Sequence, residues 1–152
     1  MSEIATYQVS LKLLLRNGDE FLILQDTYKN FLDLPGGRIN DDEFTVPIED
    51  ILRREVTEEL GADICYEIQK PLFQVRRFHN GLKMPILLTI YGGIYKSGGI
   101  ALSDEHAGYD WVHRDNFLFQ IDRFYNKEEC DVMHQYFDTL KSGSVAITAT
   151  GR

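Results

Sequence analysis

Cysteine is scarce in this sequence. Only Cys65 and Cys130 occur, far apart and without the spacing of metal ligands, which argues against a disulfide framework or a thiolate zinc site. Both read as ordinary buried thiols, and a reducing, cytoplasmic setting fits them best. Long apolar runs are also missing. The stretch at residues 86–90 falls far short of the roughly 20 residues that a bilayer-spanning helix needs. The opening residues MSEIATYQV carry neither the basic nor the apolar region of a signal peptide, so no membrane partner is expected. Positive charge is the minority sign. With 16 Lys and Arg against 24 Asp and Glu, the formal net charge of -8 argues against broad binding to nucleic acid or anionic lipid. An acidic chain that binds a small anion needs a metal ion or a local basic cluster to do so.

What is present is enough for one core: 152 residues, 43% hydrophobic and 12% aromatic. Residues 1–141 read as a single domain, and 142–152, rich in small side chains, as a loose C-terminal end. Two apolar runs, VSLKLLL and EFLILQD, flank Asn17-Gly18-Asp19 and predict a hairpin, because Asn and Gly tolerate positive φ. A second hairpin is predicted around Asn80-Gly81. Between them, residues 48–61 lack internal Gly and Pro and carry Glu, Leu and Arg, which predicts a helix. Another helix is predicted over 127–141. Asn126 is placed to cap it, Glu129 stands where a capping box needs an acid, and Val132, Met133, Tyr136, Phe137 and Leu140 recur at helical spacing as core residues. The aromatic residues Phe117, Phe119, Phe124 and Tyr125 are read as core rather than as base-stacking surfaces.

At about 100° per residue, Glu55, Glu58 and Glu59 share one arc of the first helix beside an apolar edge of Leu52, Val56 and Leu60. Like charges at these spacings weaken an isolated helix by about 0.2–0.5 kcal/mol per pair, unless a cation sits over them. Most glutamate clusters on helices are solvated faces. Three hard oxygen donors on one face also suit Mg²⁺ or Mn²⁺, and the preceding Leu34-Pro35-Gly36-Gly37 turn brings backbone close enough for a carbonyl to join them.

The segments LPGGRINDDE and RREVTEELGA resemble the Nudix box, in which Gly, five residues, Glu and seven residues precede Arg-Glu-aliphatic-x-Glu-Glu-x-Gly-aliphatic. Arg54, Glu55, Val56, Glu58, Glu59, Gly61 and Ala62 match its second half. Gly37 and Glu43 match its first half, but ten residues rather than seven separate Glu43 from Arg54. The three extra residues fall around 44–47, and counting back from Arg54 at the family spacing lands on Val46 instead. Downstream, SDEHAGYDWV resembles the segment where relatives place a further acid, which makes Glu105 the candidate, with His106 behind it.

The resemblance implies an α/β/α sandwich (α+β class): a mixed sheet carrying the box as loop, helix and loop, with a C-terminal helix. It implies metal-dependent hydrolysis of a diphosphate linkage in a nucleoside diphosphate joined to another group, or in a nucleoside triphosphate. Mg²⁺ or Mn²⁺ would be held by Gly36, Glu55, Glu58 and Glu59, with Arg54 orienting an acid and Glu105 or a helix glutamate as general base. Arg38, Arg76, Arg77 and Lys83 are the basic residues nearest the cleft by chain position, and as strand neighbours Arg76 and Arg77 point to opposite faces. The partner implied is a small nucleotide, and the family leaves homodimerisation open. Two other readings share the fold, a nucleotide sensor without turnover and an isomerase of isopentenyl diphosphate type. The latter lacks a suitably placed Cys here.

Overall fold

The computed structural model describes residues 2–149, with side chains through residue 141. Two strands, β1 (Gln8–Asn17) and β2 (Glu20–Asp26), form the first predicted hairpin, with Gly18 at φ 61° in the turn. Short strands β3 (Leu32–Asp33) and β4 (Gly36–Arg38) carry the chain through the Pro-Gly-Gly turn to helix α1 (Ile48–Leu60). The second hairpin pairs the long strands β5 (Cys65–His79) and β6 (Met84–Ser97), and Lys83 rather than Gly81 takes the positive φ in its turn. Strand β7 (His106–His113) and helix α2 (Lys127–Ala149) complete the chain.

The sheet runs β3-β2-β1-β6-β5, with β4 added against β1 and β7 against β2. It is mixed, because β1 lies parallel to β6 while the other pairs are antiparallel. Alternation along β1 divides the core. Leu11, Leu13 and Leu15 pack with Leu52, Val56 and Leu60 of α1, whereas Leu14 joins Phe21, Met133 and Phe137 of the α2 side. Each face of the sheet is thus covered by one helix, as predicted. Among the described residues no helix is long and apolar enough to cross a membrane.

Three local readings need correction. Asn126 does cap α2, accepting from the Glu129 N–H at 2.9 Å, but the Glu129 carboxylate turns away from the cap to bind Arg77. Cys65 is exposed at the start of β5, and only Cys130 is a buried thiol. Helix α2 continues to Ala149, eight residues past its predicted end, since nothing in 142–149 blocks helical φ and ψ. The side chains of the expected loose end, and all of residues 150–152, lie outside the described part.

Candidate active site

Gly36 and Gly37 set the geometry. Gly36 has φ 141°, and a side chain there would strike the Leu11 carbonyl oxygen at 2.0 Å, so only glycine lets β4 pair this tightly with β1. A Cβ on Gly37 would meet the Glu55 carboxylate at 2.1 Å. The double glycine therefore lets the loop close against α1, and the Gly36 N–H donates to Glu59 Oε1 at 2.8 Å.

The C-terminus of α1 is held from the other side. Gly61, at φ 89°, ends the helix, and the loop after β6 returns to its last carbonyls, with Ala101 N–H donating to Leu60 O and Ser103 N–H to Glu59 O. These bonds lay Glu105 and His106 beside Glu59, 46 and 47 positions away in sequence. The His106 Nε2 to Glu59 Oε2 distance is 2.9 Å, and both side chains are buried. Glu59, Glu105 and His106 each present a ligand atom within 4.8 Å of the others.

Arg54 organises the remaining acids. It binds Glu43 through two hydrogen bonds of 2.9 and 2.8 Å, and its Nη1 lies 3.0 Å from Glu55 and 3.1 Å from Glu58. Glu43 therefore reaches Arg54 across the longer spacing. Asn40 accounts for this: its N–H donates to Glu43, and a short 3-10 turn at Asp41–Glu43 turns the acid back towards α1. The extra residues bulge outward, leaving Phe44 almost fully exposed. Hydrogen bonds from Arg54 and Asn40 hold the Glu43 carboxyl below the ordinary range.

Glu55, Glu58 and Glu59 share one side of α1, but their carboxylates do not gather at one point. Glu55 and Glu58 turn to Arg54, and Glu58 is 58% exposed, while Glu59 alone joins Glu105 and His106. Burial, together with repulsion from Glu58 and Glu59, pushes the Glu55 carboxyl up against the pull of Arg54. A hydrogen bond with Glu59, then burial and the charge of Glu59, push Glu105 up. His106 is drawn upward as well, because Glu59 outweighs the effect of burial. Its Nδ1 is buried without a hydrogen-bond partner, so the fully protonated ring would leave an unsatisfied N–H.

These acids line a cleft of about 570 Å³ that also reaches Lys12, Arg38, Arg77 and His79. Arg38 stands at its edge, bonded to Gln8 at 2.8 Å. Arg77 lines the cleft but is committed to Glu129 and Asp33, and its guanidinium lies 3.8 Å from the Tyr125 ring centre. Arg76 faces away, as strand alternation requires. It is bound to Glu128 of α2 and does not line the cleft, so it is not placed to meet substrate. Lys83 sits on the hairpin turn, also away from the cleft. Phe117 and Phe124 are buried and Phe119 packs on them, in keeping with their reading as core, whereas Tyr125 is half-buried outside both core clusters and donates to Asp26 at 2.6 Å.

The sequence reading missed the buried quartet of Lys12, Asp33, Arg77 and Glu129. Lys12 Nζ meets Asp33 at 3.2 Å and the Leu34 carbonyl at 3.1 Å. Burial raises the Asp33 carboxyl, but Arg77 and Lys12 outweigh it and hold it well below the usual range. A lone lysine in the run VSLKLLL was the available signal, since a buried cation needs an anion beside it.

A divalent cation fits the acid end of the cleft. Its donors are hard oxygens, Glu55 is pushed up by burial and by the neighbouring acids, Glu105 by Glu59 and by burial, and Arg54 is the cation placed among them. No family model and no curated protein matches the chain by sequence. Its fold, however, is shared with solved structures. A MutT protein from Methanosarcina mazei is similar at a TM-score of 0.68 and 26% identity, over 94% of this chain and 99% of that one. A NUDIX hydrolase from Nitrosomonas europaea gives 0.67 and 15%, over 91% and 90%. An ADP-ribose pyrophosphatase from Streptococcus suis gives 0.61 and 15%, over 88% and 92%.

Proposed function

We propose that this chain, a member of the Nudix superfamily by its box and its fold, hydrolyses a diphosphate linkage in a nucleotide or nucleotide derivative. The observation that carries the reading is the convergence of Glu59, Glu105 and His106 beside the Gly36 N–H, with Glu55 and Glu58 on the same cleft wall. Mg²⁺ or Mn²⁺ would be held by Glu59, with Glu55, Glu58 and the Gly36 carbonyl as further oxygen donors. When bound, the cation supplies charge neutralisation for the phosphates and lowers the pKa of water.

The chain's own residues do the rest. Gly36 and His106 fix the two oxygens of Glu59, so its carboxylate is oriented before any ligand arrives. Arg54 keeps Glu55 and Glu58 in place against their mutual repulsion, with Glu43 anchoring Arg54 in turn. Glu105, on the cleft wall beside Glu59, takes the proton of the attacking water. Arg38, at the cleft edge, stabilises phosphate oxygens.

Phosphate release from a panel of nucleoside triphosphates, nucleotide sugars and dinucleotides, with and without Mg²⁺, tests this reading. Turnover that depends on the metal is expected. Its absence on every substrate would leave the nucleotide-sensor reading in its place.

A further inference from the structure

The far end of the cleft is built differently from the acid end. Ser10 and Lys12 lie two apart on β1, and Arg77 and His79 two apart on β5, so each pair shares a face. Between the two strands β6 contributes Ile86 and Leu88, in register with Gln8 and Ser10 on one side and with Arg77 and Val75 on the other. All six side chains line the cleft. The floor is thus an apolar strip with polar groups along both edges.

Lys12, Arg77 and the His79 ring offer donors, and the Ser10 hydroxyl can donate or accept. Lys12 has three N–H bonds, and Asp33 and Leu34 O take two of them. The Ser10 hydroxyl has no protein partner among the described residues, although the residue is buried. His79 Nδ1 accepts from the Leu82 N–H at 3.0 Å, so it holds no proton, and Nε2 carries the ring's hydrogen. The cations here are already matched. Lys12 and Arg77 face Asp33 and Glu129, two charges against two, so the floor offers hydrogen bonds without net positive charge. A phosphate gains little from such a surface, whereas a neutral flat ring with carbonyl oxygens at its edge satisfies both the strip and its donors.

We infer that this floor is a base-recognition subsite that selects nucleobases bearing ring carbonyls, of uracil or guanine type, over adenine, whose ring nitrogens accept but whose amino group stands where those bases place a carbonyl oxygen. The inference rests on the hydrolase reading only for the placement of the phosphates at the acid end. The subsite binds the base whether or not turnover follows.

The test uses the full chain without metal, titrated by calorimetry with uridine, guanosine and adenosine 5′-monophosphates. UMP or GMP should bind at least ten-fold more tightly than AMP. Ser10→Ala and His79→Phe, neither of which breaks the buried quartet, should each reduce that preference by five-fold or more. A retained melting temperature checks that both variants fold. Equal binding of the three nucleotides, no binding of any, or a preference that both variants leave intact would overturn the inference. Metal-dependent phosphate release across the mixed panel is read separately, so either reading can fail without the other.

Discussion

Two clusters of charge meet in this cleft, and they are built on opposite terms. The Lys12, Asp33, Arg77 and Glu129 quartet is buried, balanced and closed, each charge within 3.2 Å of an opposite one. The acid wall has Glu43, Glu55 and Glu58 sharing Arg54, while Glu59 and Glu105 crowd each other beside His106 and the Gly36 N–H. A protein that can balance charges within one cleft leaves them unbalanced where something else supplies the missing cation. The first cluster fastens the sheet to α2, and the second is the site that the proposed function requires.

The comparison breaks most sharply at Glu59. Glu59→Gln keeps the shape and the Gly36 hydrogen bond but removes a ligand charge, and turnover should fall by roughly 10²–10³-fold with little change in melting temperature. Glu58→Gln should also lower turnover, but by less, because that carboxylate is exposed and turned to Arg54. Steady-state kinetics on any substrate that the panel identifies decides between them. Equal effects, or none, would mean that the buried trio is not the centre.

The opposite signature is expected from the quartet. Arg77→Met leaves Asp33 and Glu129 without their shared partner, and removing one member of a buried pair destabilises by about 3–5 kcal/mol. In a chain of this length that is a fall of about 10 °C in melting temperature, measured by calorimetry. Magnesium should act only on the other cluster. At a hundred times its dissociation constant it should stabilise the wild type by about 2.7 kcal/mol and Glu59→Gln by much less. A metal-induced shift that survives in Glu59→Gln would place the cation elsewhere.

Acid separates the two clusters again. Asp33 is more acidic folded than unfolded, so its contribution is complete above the unfolded value of 3.8 and is lost as pH falls through the lower folded value. Thermal stability should therefore drop below about pH 4, and Asp33→Asn, already less stable at neutral pH, should show a shallower drop. An equal slope in the variant would assign the acid limb to other carboxylates.

This contrast also marks how far the sequence could be read. The acid wall was legible because its residues sit on one helix: a 3.6-residue period places Glu55, Glu58 and Glu59 on one side whatever surrounds them. The hairpins were legible for the same local reason. Which carboxylates converge was not, because that depends on the loop after β6 returning to the end of α1, and no spacing in the chain encodes the bonds from Ala101 and Ser103. The quartet was hidden further, since its members come from β1, β3, β5 and α2, and only the folded register brings them together.

The smallest effect is expected from a pair that looks strong on paper. Arg76 and Glu128 approach to 2.6 Å, with a second bond from the Arg76 backbone N–H, and they join the same two elements as Arg77 and Glu129 one position away. The difference is water: the Arg76 side chain is 60% exposed against 13% for Arg77. Solvent and salt screen the outer pair, and its free partners keep their hydration when the bond is broken. Arg76→Ala should accordingly leave the melting temperature and turnover within experimental error, in contrast to the loss from Arg77→Met. A fall comparable to that of Arg77→Met would show that the outer pair, and not the buried quartet, fastens α2 to the sheet.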